Sequence, residues 1–274
     1  MKVIDMDALF KQYLLAQVRA GADPEQLEED VPDLYLEWLE RPMVQLEGKT
    51  PREWFEKQES AQRIEALCMY VNQQIDPPDP LLDAIEDDPE AEVPLYELLQ
   101  GRRGAFETGE KLLKARRYAA ELLNQKGSVL PVEEYLRLAR EGCDDEKLRE
   151  AAIQGLASMG EAVKEKLLEA LRGAPDDGAD CLLDLLSMLN RDERIFDALV
   201  RHFRGRYERR AFCASLLARY GDERALPVLE EAIGSVGYLD YCALRDAIES
   251  LGGTEEEEPD FSGDCDYERM KLGE

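Results

Sequence analysis

The side chains able to do chemistry are few in kind and widely scattered along the chain. His202 is the single histidine, so any Ser-His-Asp or Cys-His arrangement would have to use it. It stands in Val200-Arg201-His202-Phe203-Arg204, on a helix by pattern and between two cations. It is expected at the surface and outside any catalytic pair. The six cysteines are Cys68, Cys143, Cys181, Cys213, Cys242 and Cys265, and none lies near another along the chain. That spacing contains no CxxC pair, so neither a disulfide framework nor a zinc site is expected. Cys181, Cys213 and Cys242 are expected in helix interiors, where a thiol packs as a small apolar group. Neither Glu-x-x-His nor a phosphate-cradling glycine loop occurs. No catalytic residue, metal ligand or cofactor site is assigned from the sequence.

One local charge feature stands out. Arg191, Arg194, Arg201, Arg204, Arg206, Arg209 and Arg210 gather among only four acids, Asp192, Glu193, Asp197 and Glu208. Two readings are open. The arginines form a solvated face with internal ion pairs, or they receive an anionic partner or peptide carboxylates, which guanidinium groups bind bidentately. Nucleic acid is not expected, because 34 basic side chains face 61 acidic ones for a net charge of −27, and phosphate contacts need clustered cations. The same sign argues against anionic lipid surfaces. Residues 1–100 carry a net −16, residues 101–250 only −4, and residues 251–274 −7. The acidic ends thus flank a nearly neutral middle and favour solubility.

The elements that position these arginines are set by a repeat. Residues 148–173, 180–205 and 209–234 each read as an apolar-periodic stretch, a short break and a second apolar-periodic stretch. The breaks fall, at nearly equal intervals, at Gly160, Arg191, Gly221 and, in a partial last copy, Gly252. An irregular earlier copy runs over 111–125, breaks at Gly127 and resumes after Pro131. A fixed period of about thirty residues marks stacked helix pairs, none of which buries its apolar face alone. Strand signals are nearly absent.

The first hundred residues are helical in pattern without being repetitive. Helices are expected over 7–19, after Asp23-Pro24, and from Thr50-Pro51-Arg52-Glu53 to about residue 74. That last start has a capping-box partner at Glu53 and a proline in the first turn. Asp76-Pro77-Pro78-Asp79-Pro80 is an extended break and the expected boundary. The organisation expected is a helical N-terminal domain over 1–78, a repeat array over 79–253 and an acidic tail over 254–274. In the tail, Phe261 and Tyr267 offer apolar anchors to the last helix pair. The N-terminus lacks a basic start followed by an apolar run, and no apolar stretch approaches ~20 residues. A cytoplasmic, reduced protein away from membranes is expected.

The run Gly221-Asp222-Glu223-Arg224-Ala225-Leu226-Pro227-Val228-Leu229 resembles the inter-helix turn and second helix of HEAT repeats. It is closest to the short variety also found in phycobilin lyases. Asp192-Glu193-Arg194 carries the same pattern one period earlier. The resemblance covers about residues 110–252. It implies an all-α solenoid of stacked antiparallel helix pairs whose second helices line a concave, partner-binding face. Asn190-Arg191 replaces the turn glycine in one copy. Within the turn, the aspartate is placed to cap free backbone N–H groups, and the arginine two residues on to reach a carboxylate of the neighbouring copy.

On the second helices, Leu199, Phe203, Leu226, Leu229 and Ile233 are expected inside the stack. Helical geometry then turns Lys166, Arg194, Asp197, Arg201, Arg224 and Glu231 outward as candidate partner-binding residues. The function expected is a non-enzymatic scaffold or adaptor for a protein partner that carries carboxylates. The other function kept open is a lyase-like HEAT protein that handles a small molecule or chromophore. The acidic N-terminal segment is a further candidate occupant of the basic stripe.

Overall fold

The computed structural model describes residues 3–254 and 259–272. Its regular elements are helices; among the described residues the nearest approach to a sheet is one isolated antiparallel pairing of Met43 with Lys49. The chain forms two compact units. One holds the described residues up to Glu134 together with Cys143–Gly155; the other holds Tyr135–Gly142 and the described residues from Leu156 onward.

The first unit opens with α1 (Met6–Arg19) and α2 (Pro24–Leu39). Both start on an aspartate whose carboxylate accepts a backbone N–H: Asp5 from Ala8 at 2.8 Å and Asp23 from Glu25 at 3.1 Å. The two helices meet through aromatic rings, Phe10 lying 5.0 Å from Tyr35 and 5.3 Å from Trp38 between centroids. The expected capping box is present, with Thr50 Oγ1 and the Glu53 carboxylate each 3.1 Å from the other's backbone nitrogen.

The single helix expected from Thr50 to residue 74 is instead two, α3 (Pro51–Glu56) and α4 (Ser60–Asn72). A capping box opens α4, with the Glu59 N–H donating to Gln62 Oε1 at 3.1 Å, and the end of α3 is held by Arg63. Its guanidinium reaches back from α4 to the Phe55 and Glu56 carbonyls at 3.0 and 2.7 Å, taking up acceptors that a continuous helix would have bonded itself. The proline break leads directly into α5 (Asp79–Glu86), whose Leu81 and Ile85 are fully buried. α6 (Glu92–Leu99) and α7 (Gly109–Gln125) follow. α5 packs on α3, α4 and α7, and α6 packs on α7.

α8 (Val132–Glu141) and α9 (Glu146–Met159) contribute residues to both units. The second unit continues with α10 (Lys164–Ala170), α11 (Asp176–Leu186), α12 (Glu193–Gly205), α13 (Arg210–Tyr220), α14 (Leu226–Ile233) and α15 (Tyr238–Ser250). These are the first and second helices of the copies read from the sequence, with the breaks in the same places. At Gly221 the backbone is left-handed, φ +74°, and its N–H closes α13 on the Leu217 and Ala218 carbonyls. Only glycine adopts that conformation without a Cβ penalty. Where Asn190-Arg191 takes the glycine's place, side chains serve the turn. Asn190 N–H donates to Glu161 Oε1 at 2.5 Å, and Arg191 Nη2 to the Gly221 carbonyl at 2.5 Å.

The apolar repeat positions Leu156, Leu186, Leu216 and Leu229 are all buried. Leu199, Phe203 and Ile233 are buried as well, while Leu226 is half-buried. α10 packs on α11, α11 on α12, α12 on α13, and both α13 and α14 on α15. Beyond the last pair, Phe261 is buried against Tyr238, Tyr241 and Tyr267 at centroid distances of 5.3, 4.9 and 5.9 Å. α16 (Cys265–Leu272) then packs on α15. The glutamate run over 255–258 lies outside the described residues.

Candidate functional site

The two Asp-Glu-Arg turns of the second unit build the same device twice. Asp192 Oδ1 accepts the Arg194 backbone N–H at 3.0 Å, which caps α12. The Arg194 guanidinium bends back onto both oxygens of the same carboxylate, at 3.0 and 2.7 Å. It also reaches the preceding copy, where Glu165 receives two parallel N–H donors at 2.8 and 2.7 Å. One period on, the Asp222 carboxylate accepts from the Arg224 backbone at 3.1 Å and from its guanidinium at 2.7–3.2 Å. Arg224 Nη1 reaches Glu193 in the preceding copy at 2.7 Å. Tyr220 ties the turns together, with its hydroxyl 2.5 Å from the Asp192 amide nitrogen and 3.0 Å from its carbonyl.

The electrostatics follow from this geometry. The Arg194 guanidinium holds the Asp192 carboxyl down at about 2 and lowers Glu165 as well. Arg224 lowers Asp222 in the same way. Both arginines are held more firmly protonated than in free solution by these carboxylates.

Of the six candidate partner-binding residues, Arg194 and Arg224 therefore sit in internal rungs. Lys166, Asp197, Arg201 and Glu231 are exposed on α10, α12 and α14. Arg201 makes no ion pair with a described residue, and Arg204 approaches Glu231 only at 4.0 Å.

His202 is not on the surface, contrary to the sequence expectation. Its side chain is 13% exposed, and its Nε2 lies 2.5 Å from Oδ1 of the buried Asp180. The cause is a neighbour far off along the chain that no local pattern connects to it. Arg209 Nη1 approaches the other Asp180 oxygen at 3.1 Å, and Arg206 reaches Asp176 at 2.9 Å and Glu208 at 2.6 Å. Two of the seven arginines, Arg206 and Arg209, thus meet one buried carboxylate, an arrangement in which each charge needs its partner. No hydrogen bond joins Cys213 to His202. Burial pushes the Cys213 thiol up to about 11 and the Cys68 thiol likewise to about 11, which leaves both as packing groups rather than nucleophiles.

Sequence reasoning passed over Glu165, Asp180 and Tyr220. The first was findable, since it stands one period before Arg194 just as Glu193 stands one period before Arg224. Among the described residues no helix is long and apolar enough to cross a membrane, and no group of three or more potential ligands is placed to hold a metal ion. No protein family matches the sequence, and no curated protein matches it either.

Proposed function

We propose that the chain is a non-enzymatic protein-binding scaffold built on HEAT-like repeats. The observation that carries this proposal is how the reactive side chains are used. The one histidine is paired with a buried aspartate, Cys213 is buried, and the turn arginines close internal rungs. What is left for function is an exposed face along α10, α12 and α14 that carries Lys166, Asp197, Arg201 and Glu231. Its partner is a protein rather than nucleic acid, in keeping with the net charge of −27. The six cysteines are unpaired, which supports a reducing compartment, and we assign the protein to the cytoplasm. Cys68 and Cys213, buried and with their thiols pushed up, give a lyase-like function no support.

Photo-crosslinking in the native host tests the scaffold function, with the reactive amino acid placed at position 166, 197 or 231 and adducts identified by mass spectrometry. The expected result is one shared protein partner from all three positions. Scattered adducts with no partner in common, or none at all, would contradict it.

A further inference from the structure

α1 and α2 form a hairpin whose root is fixed. Met6, Trp38 and Leu39 are buried there, and the Tyr70 hydroxyl donates to the Ile4 carbonyl at 2.7 Å. Between Met6 and Trp38, however, no residue is buried. Leu9 and Tyr13 on α1, and Leu27, Val31 and Leu34 on α2, follow the helical spacing of an apolar stripe, as the repeat leucines do. They are only half-buried, whereas Leu156, Leu186, Leu216 and Leu229 are at most 1% exposed. An apolar stripe is closed by packing against further elements, and two helices alone leave one side of this seam uncovered.

The charge along the seam has one dominant sign. α2 carries Glu25, Glu28, Glu29, Asp30, Asp33 and Glu37, all exposed, and no basic residue. α1 sets Asp7 against Lys11 and Arg19. At the root Arg41 lies over the Tyr13 ring, 4.8 Å from its centroid, and 4.0 Å from Glu37. None of the other five acids of α2 has an ion-pair partner among the described residues. Helical spacing sets Glu28 on one edge of the α2 stripe and Asp30 and Glu37 on the other. Complementarity of charge then selects the occupant. A second copy of the chain would lay a like acidic seam against the first, and nucleic acid or an anionic lipid surface would bring phosphate; each is repelled. A helix whose apolar stripe is bordered by lysine or arginine matches both the open seam and its rim.

We propose that the α1–α2 hairpin is a docking surface for a basic amphipathic helix of a partner protein. The apolar stripe of that helix closes the seam as its third element, and its cations meet Glu28, Asp30 and Glu37. This surface belongs to the first unit, and the proposal does not rest on the exposed face of α10, α12 and α14.

The experiment uses the full chain and fluorescence anisotropy. The probe is a labelled peptide with leucines at helical spacing and lysines elsewhere; a peptide of the same composition with the leucines scattered is the comparison. The ordered peptide is expected to bind at least about tenfold more tightly. The Glu28→Gln, Asp30→Asn, Glu37→Gln variant, with its helical circular dichroism unchanged, should bind it about tenfold more weakly. A variant with the same change of charge on the second unit, Glu169→Gln, Glu230→Gln, Glu268→Gln, should bind it as the wild type does. Equal binding of the scattered peptide, equal losses in the two variants, unchanged binding by the hairpin variant, or no binding at all would each overturn the proposal. Sedimentation velocity of the wild type and of Val31→Gln tests the second copy as occupant. Equal sedimentation is expected, and a dimer that Val31→Gln dissolves would give the seam to a second copy and overturn the proposal.

Discussion

The two units solve one problem, the unbonded groups at helix ends, in opposite ways. The second unit uses a short motif that repeats: an aspartate caps the helix, and an arginine two residues on spans to the preceding copy. These rungs lie at the surface, with the arginine side chains 54% and 53% exposed. The first unit uses single cations that each gather several carbonyl or carboxylate oxygens. Arg63, with its side chain 13% exposed, donates to the carbonyls of Phe55, Glu56 and Ala84 and to the Asp88 carboxylate. Lys126 donates to the Glu86 and Asp88 carbonyls at 2.6 and 2.8 Å, and Arg116 joins the Leu99 carbonyl to Glu134 at 2.6 and 2.9 Å. Apart from the buried cluster at Asp180, the periodic fold spreads its polar closure over equivalent surface contacts. An irregular one concentrates it in a few buried ones, and losses should therefore be uneven across the molecule.

The largest effect is expected at such a buried clamp. Arg63→Met should cost about 3–5 kcal/mol, because it strands the Asp88 carboxylate, itself only 10% exposed, without its counter-ion. Urea unfolding measures it, and a loss no larger than that of an exposed ion pair would erase the contrast between the units. In the second unit the comparable loss is expected from the core rather than from charge. Leu216→Ala, at a position 1% exposed, should cost about 2–5 kcal/mol. Gly178→Ala is expected to follow at about 1–3 kcal/mol, because the added Cβ would lie 2.0 Å from the Arg140 carbonyl oxygen, where α11 crosses the end of α8.

The repeat was legible because its causes are local. Apolar period, turn glycine and capping aspartate all lie within one copy, so the helices, their breaks and the buried leucines could be read from spacing. The outward direction of Lys166, Asp197, Arg201 and Glu231 followed from the same geometry. What could not be read depends on distant partners. Arg63 meets Asp88 from beyond the next helix, a contact that no local pattern announces. His202 on α12 meets Asp180 on α11 and is half-buried there, despite cationic neighbours that suggest a surface site.

A smaller effect sharpens the account of the rungs. The folded Asp192 carboxyl is held at about 2 and Asp222 is lowered too, against an unfolded value of about 3.9. Carboxylates shifted down contribute stability that is complete above the unfolded value and fades as pH falls through the folded one. Acid titration of the urea midpoint should therefore show a loss between about pH 4 and pH 2 that is shallower in the Arg194→Gln, Arg224→Gln double variant. Identical slopes would mean that the rungs contribute nothing to acid stability.

The central claim is that the arginines of the second unit divide into structural rungs, Arg194 and Arg224, and exposed guanidiniums without an ion pair among the described residues, Arg172 and Arg201. The urea midpoint of two double variants tests it most directly. Arg194→Gln with Arg224→Gln should lower the midpoint at an unchanged denaturant slope, by less than Leu216→Ala does. Arg172→Gln with Arg201→Gln should leave the midpoint where it is. Equal shifts in the two variants, or a shift confined to the Arg172, Arg201 variant, would contradict the division.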